Sequence, residues 1–318
     1  MFDQLVEFHV ENGQPITTLA ISEDGKTLVS GGKDRCIRRW DIEAGECDFH
    51  RGHHWAVSEI CISSDGNSVA SVSQGKCRAR FKSDAVLWDL RTRKTTTLPT
   101  KKGFRFRSPT FLSPEVVAFK CGDISLFDVQ SGKNGQAIPE SMRGDTFVVS
   151  PDHRRVVFGT WNGPLHVWDV ESQRLDRKLV GHDSQVTAIA FDDSGERIAS
   201  YSDEVFCIWK IGGPEPLGRL DLEIEEILCV GFCQLASKWF CLESNRRLTW
   251  IDPNGEICGT TDLPGNSTLT SAAWSRSASV LVLSDKNGVI RVGTLGSVVE
   301  TDTNSANNTS AGVESFDG

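Results

Sequence analysis

The chain has 318 residues, 38% of them hydrophobic and 24% charged, and a net charge of −9. This is a globular composition with enough apolar residues for a core, which excludes a low-complexity or disordered chain. No apolar run approaches the ~20 residues needed to span a bilayer, and the acidic balance argues against dedicated nucleic-acid binding.

The opening stretch, MFDQLVEFHV, carries acids and lacks a basic-then-apolar pattern, so no secretory signal is expected. Ten cysteines, at 36, 47, 61, 77, 121, 207, 229, 233, 241 and 258, form no CxxC pair. They are expected to be mostly reduced thiols on strands of an intracellular protein, cytoplasmic with the nucleus also open.

The body of the chain recurs. In residues 181–211, Gly181-His182 precedes an apolar run from Val186 to Phe191, broken only by Thr187. The stretch turns at Asp193-Ser194-Gly195, resumes at Ile198, breaks at Ser202-Asp203 and closes on Ile208-Trp209. Short apolar runs bounded by Asp, Ser and Gly suit strands buried on both faces. In chain order the closing position falls at Trp40, Trp88, Phe127, Trp168, Trp209, Ile251 and Gly293, at intervals of 48, 39, 41, 41, 42 and 42 residues. An Asp follows Trp40, Trp88, Phe127, Trp168 and Ile251, whereas Lys210 follows Trp209 and Thr294 follows Gly293. Internal turns recur at Asp24-Gly25, Asp65-Gly66, Pro114-Glu115 and Pro151-Asp152.

With Gly-His near the start, Trp-Asp near the end and this period, the unit resembles the WD40 repeat. The resemblance implies an all-β fold, a seven-bladed β-propeller over residues 1–300 with four antiparallel strands in each blade. It further implies a ring closed by an N-terminal strand around Leu5–Val10, with Val298-Val299 as a short alternative. Residues 301–318 are polar and read as a disordered tail.

His182, Ser200 and Asp203 look like a hydrolase triad, but the set is repeated. The first repeat has Ser30, Asp34 and Trp40 in matching positions, and the second has His53, Ser71 and Trp88. A catalytic site is unique, whereas a framing element recurs, and no GxSxG elbow is present. The resemblance implies that these residues and Trp209 form a structural hydrogen-bond relay inside each blade, and no enzyme is expected. Cys47, His50, His53 and His54 cluster without the paired spacing of zinc sites. There is also no Gly-rich phosphate loop, so neither metal nor cofactor is expected.

Charge is the uneven feature. Residues 76–107 hold eleven Lys or Arg against Asp84 and Asp89. Ser71 and Trp88 are 17 apart where Ser30 and Trp40 are 10 apart, which puts seven extra residues between the second and third strands of blade 2. In the propeller that the resemblance implies, this hairpin and the next inter-blade link share a face. Lys76, Arg78, Arg80 and Lys82 then stand beside Lys101, Lys102, Arg105 and Arg107, with Phe81, Phe104 and Phe106 interleaved. Such Arg and aromatic groups grip carboxylate or phosphate; the alternative is a merely solvated loop. Arg91, Arg93 and Lys94 fall in the opposite turn.

The reading is a non-catalytic protein-interaction scaffold, a monomeric propeller within a larger complex, taking an acidic or phosphorylated protein partner through these loops. Two alternatives stand beside it. WDLR, with Trp88, Asp89 and Arg91, resembles the WDxR element that docks some WD40 proteins onto cullin ubiquitin-ligase adaptors. Phosphoinositide or nucleic-acid binding by the basic face is the other.

Overall fold

The computed structural model describes residues 2–10, 13–77, 80–99, 105–121, 123–138, 144, 146–213, 215–224 and 226–296. They form seven four-stranded antiparallel sheets. The N-terminal strand is β1 (Phe2–His9). Blade 1 follows with β2 (Ile16–Ile21), β3 (Thr27–Gly32), β4 (Cys36–Asp41) and β5 (Cys47–Arg51). Blade 2 has β6 (Val57–Ile62), β7 (Ser68–Cys77), β8 (Arg80–Asp89) and β9 (Thr95–Thr97). Blade 3 has β10 (Arg107–Ser113), β11 (Val116–Cys121), β12 (Asp123–Asp128) and β13 (Asn134–Ile138). Blade 4 has β14 (Phe147–Val149), β15 (Arg155–Gly159), β16 (Leu165–Asp169) and β17 (Arg174–Leu179). Blade 5 has β18 (Ala188–Phe191), β19 (Arg197–Ser202), β20 (Val205–Lys210) and β21 (Pro216–Asp221). Blade 6 has β22 (Ile227–Cys233), β23 (Lys238–Glu243), β24 (Arg247–Ile251) and β25 (Ile257–Asp262). Blade 7 has β26 (Leu269–Ser275), β27 (Val280–Asp285) and β28 (Val289–Leu295), with β1 as its outer strand.

The first strands of successive blades meet in an unbroken ring: β2, β6, β10, β14, β18, β22, β26 and back to β2. All seven closing positions of the sequence repeat fall on third strands, the two weakest included: Ile251 on β24 and Gly293 on β28. β1 closes the ring by pairing antiparallel with β28, from Phe2 opposite Leu295 to His9 opposite Val289. Its Phe8 ring lies 5.0 Å from that of Trp40 in blade 1, and Glu7 takes the Arg291 guanidinium at 3.0 Å. Val298-Val299 and the 301–318 tail lie outside the described residues.

Burial explains the strand patterns. Second strands such as β11, β23 and β27 are buried almost throughout, sandwiched between neighbouring blades, while outer strands such as β21 and β25 alternate towards solvent. Seven apolar clusters fill the seams, each drawing on two adjacent blades. Trp209 therefore packs with Val157 and Leu165 of blade 4, and Trp250 with Leu281 of blade 7. No blade buries both faces alone, so each depends on its neighbours.

The turns have a chemical cause. Asp41, Asp89, Asp128, Asp169 and Asp252, the acids that follow the closing residue, accept backbone N–H bonds within the next turn at 2.7–3.0 Å. Between first and second strands, Ser22, Ser63 and Ser150 do the same for Thr27, Ser68 and Arg155. Among the described residues no helix is long and apolar enough to cross a membrane.

Two faces result. The upper one carries the turns between second and third strands and the links from one blade to the next; the lower one carries the other turns.

Candidate functional site

The relay residues occupy three blades to different extents. In blade 2 the Trp88 indole N–H donates to Ser71 Oγ at 2.7 Å, and Ser71 lies 2.7 Å from His53 Nε2. His53 Nδ1 lies 2.9 Å from Asp84 Oδ1, and Asp84 also takes the Ser73 hydroxyl and the His54 ring. With Asp84 ionised, the protons run in one direction: indole to hydroxyl to imidazole to carboxylate. Burial alone would raise the Asp84 carboxyl, but the His53, Ser73 and His54 bonds outweigh it and hold it well below the usual range. Sequence reasoning missed Asp84; the signal was an acid four residues before the closing Trp in an otherwise basic stretch.

Blade 5 repeats the core of this arrangement without the acid. Trp209 donates to Ser200 Oγ at 2.7 Å, and Ser200 lies 2.7 Å from His182 Nε2. Asp203 does not join the relay, contrary to the sequence expectation. It is exposed and accepts the Ser184 hydroxyl at 3.2 Å, leaving His182 Nδ1 without a partner among the described residues. Ser200 and Trp209 are 9 apart where Ser71 and Trp88, whose hairpin carries the relay acid on a strand, are 17 apart. The hairpin closes with Ser202 opposite Val205. Its two turn residues, Asp203 and Glu204, are left-handed with φ of 43° and 70°.

In blade 1, Trp40 donates to Ser30 at 2.9 Å. Asp34 stands apart from that pair, accepting from the Cys36 amide and pairing with the Arg38 guanidinium. Ser30, Ser71 and Ser200 are all buried against a Trp N–H. A hydroxyl so enclosed offers no approach to a substrate carbonyl, and the arrangement can fix geometry but not deliver a nucleophile.

Blade 7 solves the same problem differently. Gly265 stands four residues before Leu269, as His53 precedes Val57 and His182 precedes Val186. The space is taken by Arg246 from blade 6, whose guanidinium lies 2.6 Å from a Cβ built on Gly265. Arg246 donates to the Pro264 and Ser267 carbonyls, each at 2.6 Å, and reaches Asp285 at 3.4 Å. Nothing in the repeat pattern announces this replacement.

The lengthening of blade 2 is a longer hairpin. β7 and β8 have ten residues each where β3 and β4 have six, and they pair continuously from Ser68–Asp89 to Cys77–Arg80. Arg78, Lys101, Lys102 and Phe104 lie outside the described residues, as do the side chains of Lys76, Arg80, Phe81 and Lys82, whose backbones are on β7 and β8. Arg105 and Arg107 are half-buried on the link and at the start of β10. Phe106 is not a surface aromatic: it is 1% exposed and packs against Phe119 and Phe127 at 5.4 and 6.0 Å.

Arg91 is exposed in the turn between β8 and β9, on the lower face, beside Asp89, which caps that turn. Arg93 pairs with Asp48 of blade 1 at 3.2 Å. Of the Cys47, His50, His53 and His54 set, His53 and His54 are engaged with Asp84, and no group of three or more potential metal ligands occurs among the described residues.

Comparison with known proteins agrees with this architecture. The family model "WD domain, G-beta repeat" matches residues 4–41 and 173–210. Autophagy-related protein 16 of Arabidopsis thaliana is 25% identical over 286 residues, covering 83% of this chain and 52% of that protein. The periodic tryptophan protein 2 homolog of Dictyostelium discoideum is 25% identical over 261 residues, covering 77% of this chain and 23% of that protein. Mitochondrial division protein 1 of Malassezia globosa is 26% identical over 179 residues, with coverages of 56% and 21%. The chain thus spans about half the length of the first relative and about a quarter or less of the other two.

Proposed function

We propose that this WD40-repeat propeller is a rigid, non-catalytic protein-interaction platform, and that its long blade-2 hairpin with the link to blade 3 takes an acidic or phosphorylated partner. The observation that carries the reading is the β7–β8 hairpin, four residues longer on each strand than β3–β4. Along it and the following link the sequence sets Lys76, Arg78, Arg80, Lys82, Lys101, Lys102, Arg105 and Arg107. A closed scaffold holds such a loop at little conformational cost. A positive patch on a body of net charge −9 also steers an acidic partner to one side.

The test compares wild type with the triple variant Arg78→Glu, Arg80→Glu, Arg105→Glu, after checking that both unfold at the same temperature. The probe is a fluorescent peptide of alternating Glu and phosphoserine, read by anisotropy at low and raised salt. Salt-sensitive binding that drops at least about tenfold in the variant supports the proposal. Equal binding by both proteins, or preference for phosphoinositide vesicles or single-stranded RNA, overturns it. A cullin adaptor that binds wild type and the triple variant alike, but not Arg91→Ala, would replace it with the ligase-receptor reading.

A further inference from the structure

The upper face has a second feature, of opposite sign, on blades 5 and 6. A groove of about 510 Å³ opens between the blade 4–5 link, the β19–β20 turn and the blade 5–6 link. Tyr201, Ile224 and Ile227 line it with apolar surface; Tyr201 is buried and the two isoleucines half-buried. Asp203, Glu204 and Glu226 line it with exposed carboxylates, and no Lys or Arg is among its lining residues. None of the three is in an ion pair among the described residues. The neighbouring cation, Arg219, is already committed to the Gly181 carbonyl at 2.8 Å and to Asp183 at 3.9 Å.

Two exposed apolar side chains stand on the upper face of blade 4. Trp161, 52% exposed, stands on the β15–β16 turn, which packs so closely on the next link that a Cβ at Gly163 would lie 1.9 Å from the His182 carbonyl. Val180, 62% exposed, is on that same link. A groove with an apolar floor and an acidic rim that forms no ion pair among the described residues selects one chemistry. It fits an extended chain carrying Lys or Arg for the rim and an aliphatic side chain for the floor.

The sequence of the turn supports this choice. Its two left-handed positions favour Asn-Gly, and Glu at the second is poorly suited to φ of 70°. Glu204 therefore stands where local conformation argues against it.

We infer that the groove between blades 5 and 6 is a docking site for a basic, extended segment of a partner protein. Asp203, Glu204 and Glu226 would receive its cations, and Tyr201, Ile224 and Ile227 its apolar side chain. Blades 5 and 6 lie across the ring from blade 2, so this contact is independent of the basic hairpin and does not rest on it.

The decisive variant is the pair Asp203→Asn with Glu204→Gly, which installs the residues the turn prefers. It is expected to unfold at or above the wild-type temperature, so lost binding cannot be ascribed to lost structure. The probe is a fluorescent octapeptide of alternating Arg and Leu, with its Glu-for-Arg counterpart as control. Wild type is expected to bind the basic peptide and not the acidic one. The double variant should bind it about tenfold more weakly, and Glu226→Gln should weaken binding further. The blade-2 triple variant should bind it like wild type. Unchanged affinity in the double variant, or equal binding of both peptides by wild type, overturns the assignment. So does wild-type self-association lost both in this variant and in the blade-2 triple variant, which would make the occupant the hairpin of a second copy.

Discussion

Replacing Val205 with Asp should complete the relay of blade 5 and remove an acid sensitivity that His182 imposes. Val205 stands opposite Ser202 on β20, as Asp84 stands opposite Ser73 on β8. His182 Nδ1 and Ser202 Oγ are both buried without hydrogen-bond partners among the described residues, and they match the two groups that Asp84 engages in blade 2. Burial, with the Arg219 charge second and Asp183 opposing, pushes the His182 imidazole down from 6.5 to about 4. The unfolded chain takes up a proton near pH 6.5, while the folded one refuses it until about pH 4. Stability from this residue is therefore intact above that window and is lost as pH falls through it. At about 1.4 kcal/mol per pKa unit the loss is about 3 kcal/mol. In Val205→Asp the carboxylate favours the protonated ring, so His182 should titrate nearer its ordinary value and the loss should shrink by at least half. Near neutral pH the variant should lie within about 1 kcal/mol of wild type, a charge-assisted hydrogen bond offsetting lost Val packing. Urea unfolding of both proteins across the window measures this, because titrations common to both cancel in the difference. Imidazole ¹⁵N shifts assign the proton. Parallel stability curves would refute the account of His182.

Two further changes test the framework. Ser71→Ala strips the acceptor from the Trp88 indole and the hydroxyl from His53 Nε2, and should cost about 2–4 kcal/mol in chemical unfolding. Arg246→Met leaves Arg291 as the remaining cation on the buried Asp285 and strips the donors from the Pro264 and Ser267 carbonyls, and should cost about 2–3 kcal/mol; hydrogen exchange should then rise first in the 263–268 link, whose carbonyls the guanidinium holds.

The ring was readable because its physics repeats. An acid after the closing residue caps a turn, and a Ser on the second strand accepts the Trp N–H, so both recur at the pitch of a blade. Even Gly293, which retains neither residue type, was located by its interval and lies on β28 opposite Leu281. The relay acid was less legible because the carboxylate that completes it can arrive from different backbone positions. In blade 2 it comes from Asp84 on a strand, whereas in blade 5 Asp203 sits in a two-residue turn and faces solvent. Spacing to the closing Trp finds the residue type but not which way a left-handed turn will aim it.

The two proposed working surfaces are hard to read for the complementary reason: they lie where the repeat is broken. The basic hairpin betrays itself through an interval of 48 residues and a run of one charge. The acidic groove gives no such sign, because its carboxylates come from a turn, Asp203 and Glu204, and from Glu226 on a separate link. Only the fold brings the two segments to one cleft and shows that Arg219, the nearby cation, is turned to Gly181 and Asp183. Residues that frame the blade are constrained by the same hydrogen bonds in blade after blade. A departure on the upper face that the framework does not require is thus free to serve a partner. Asp203-Glu204 is such a departure, since Asn-Gly would close the same turn with less strain.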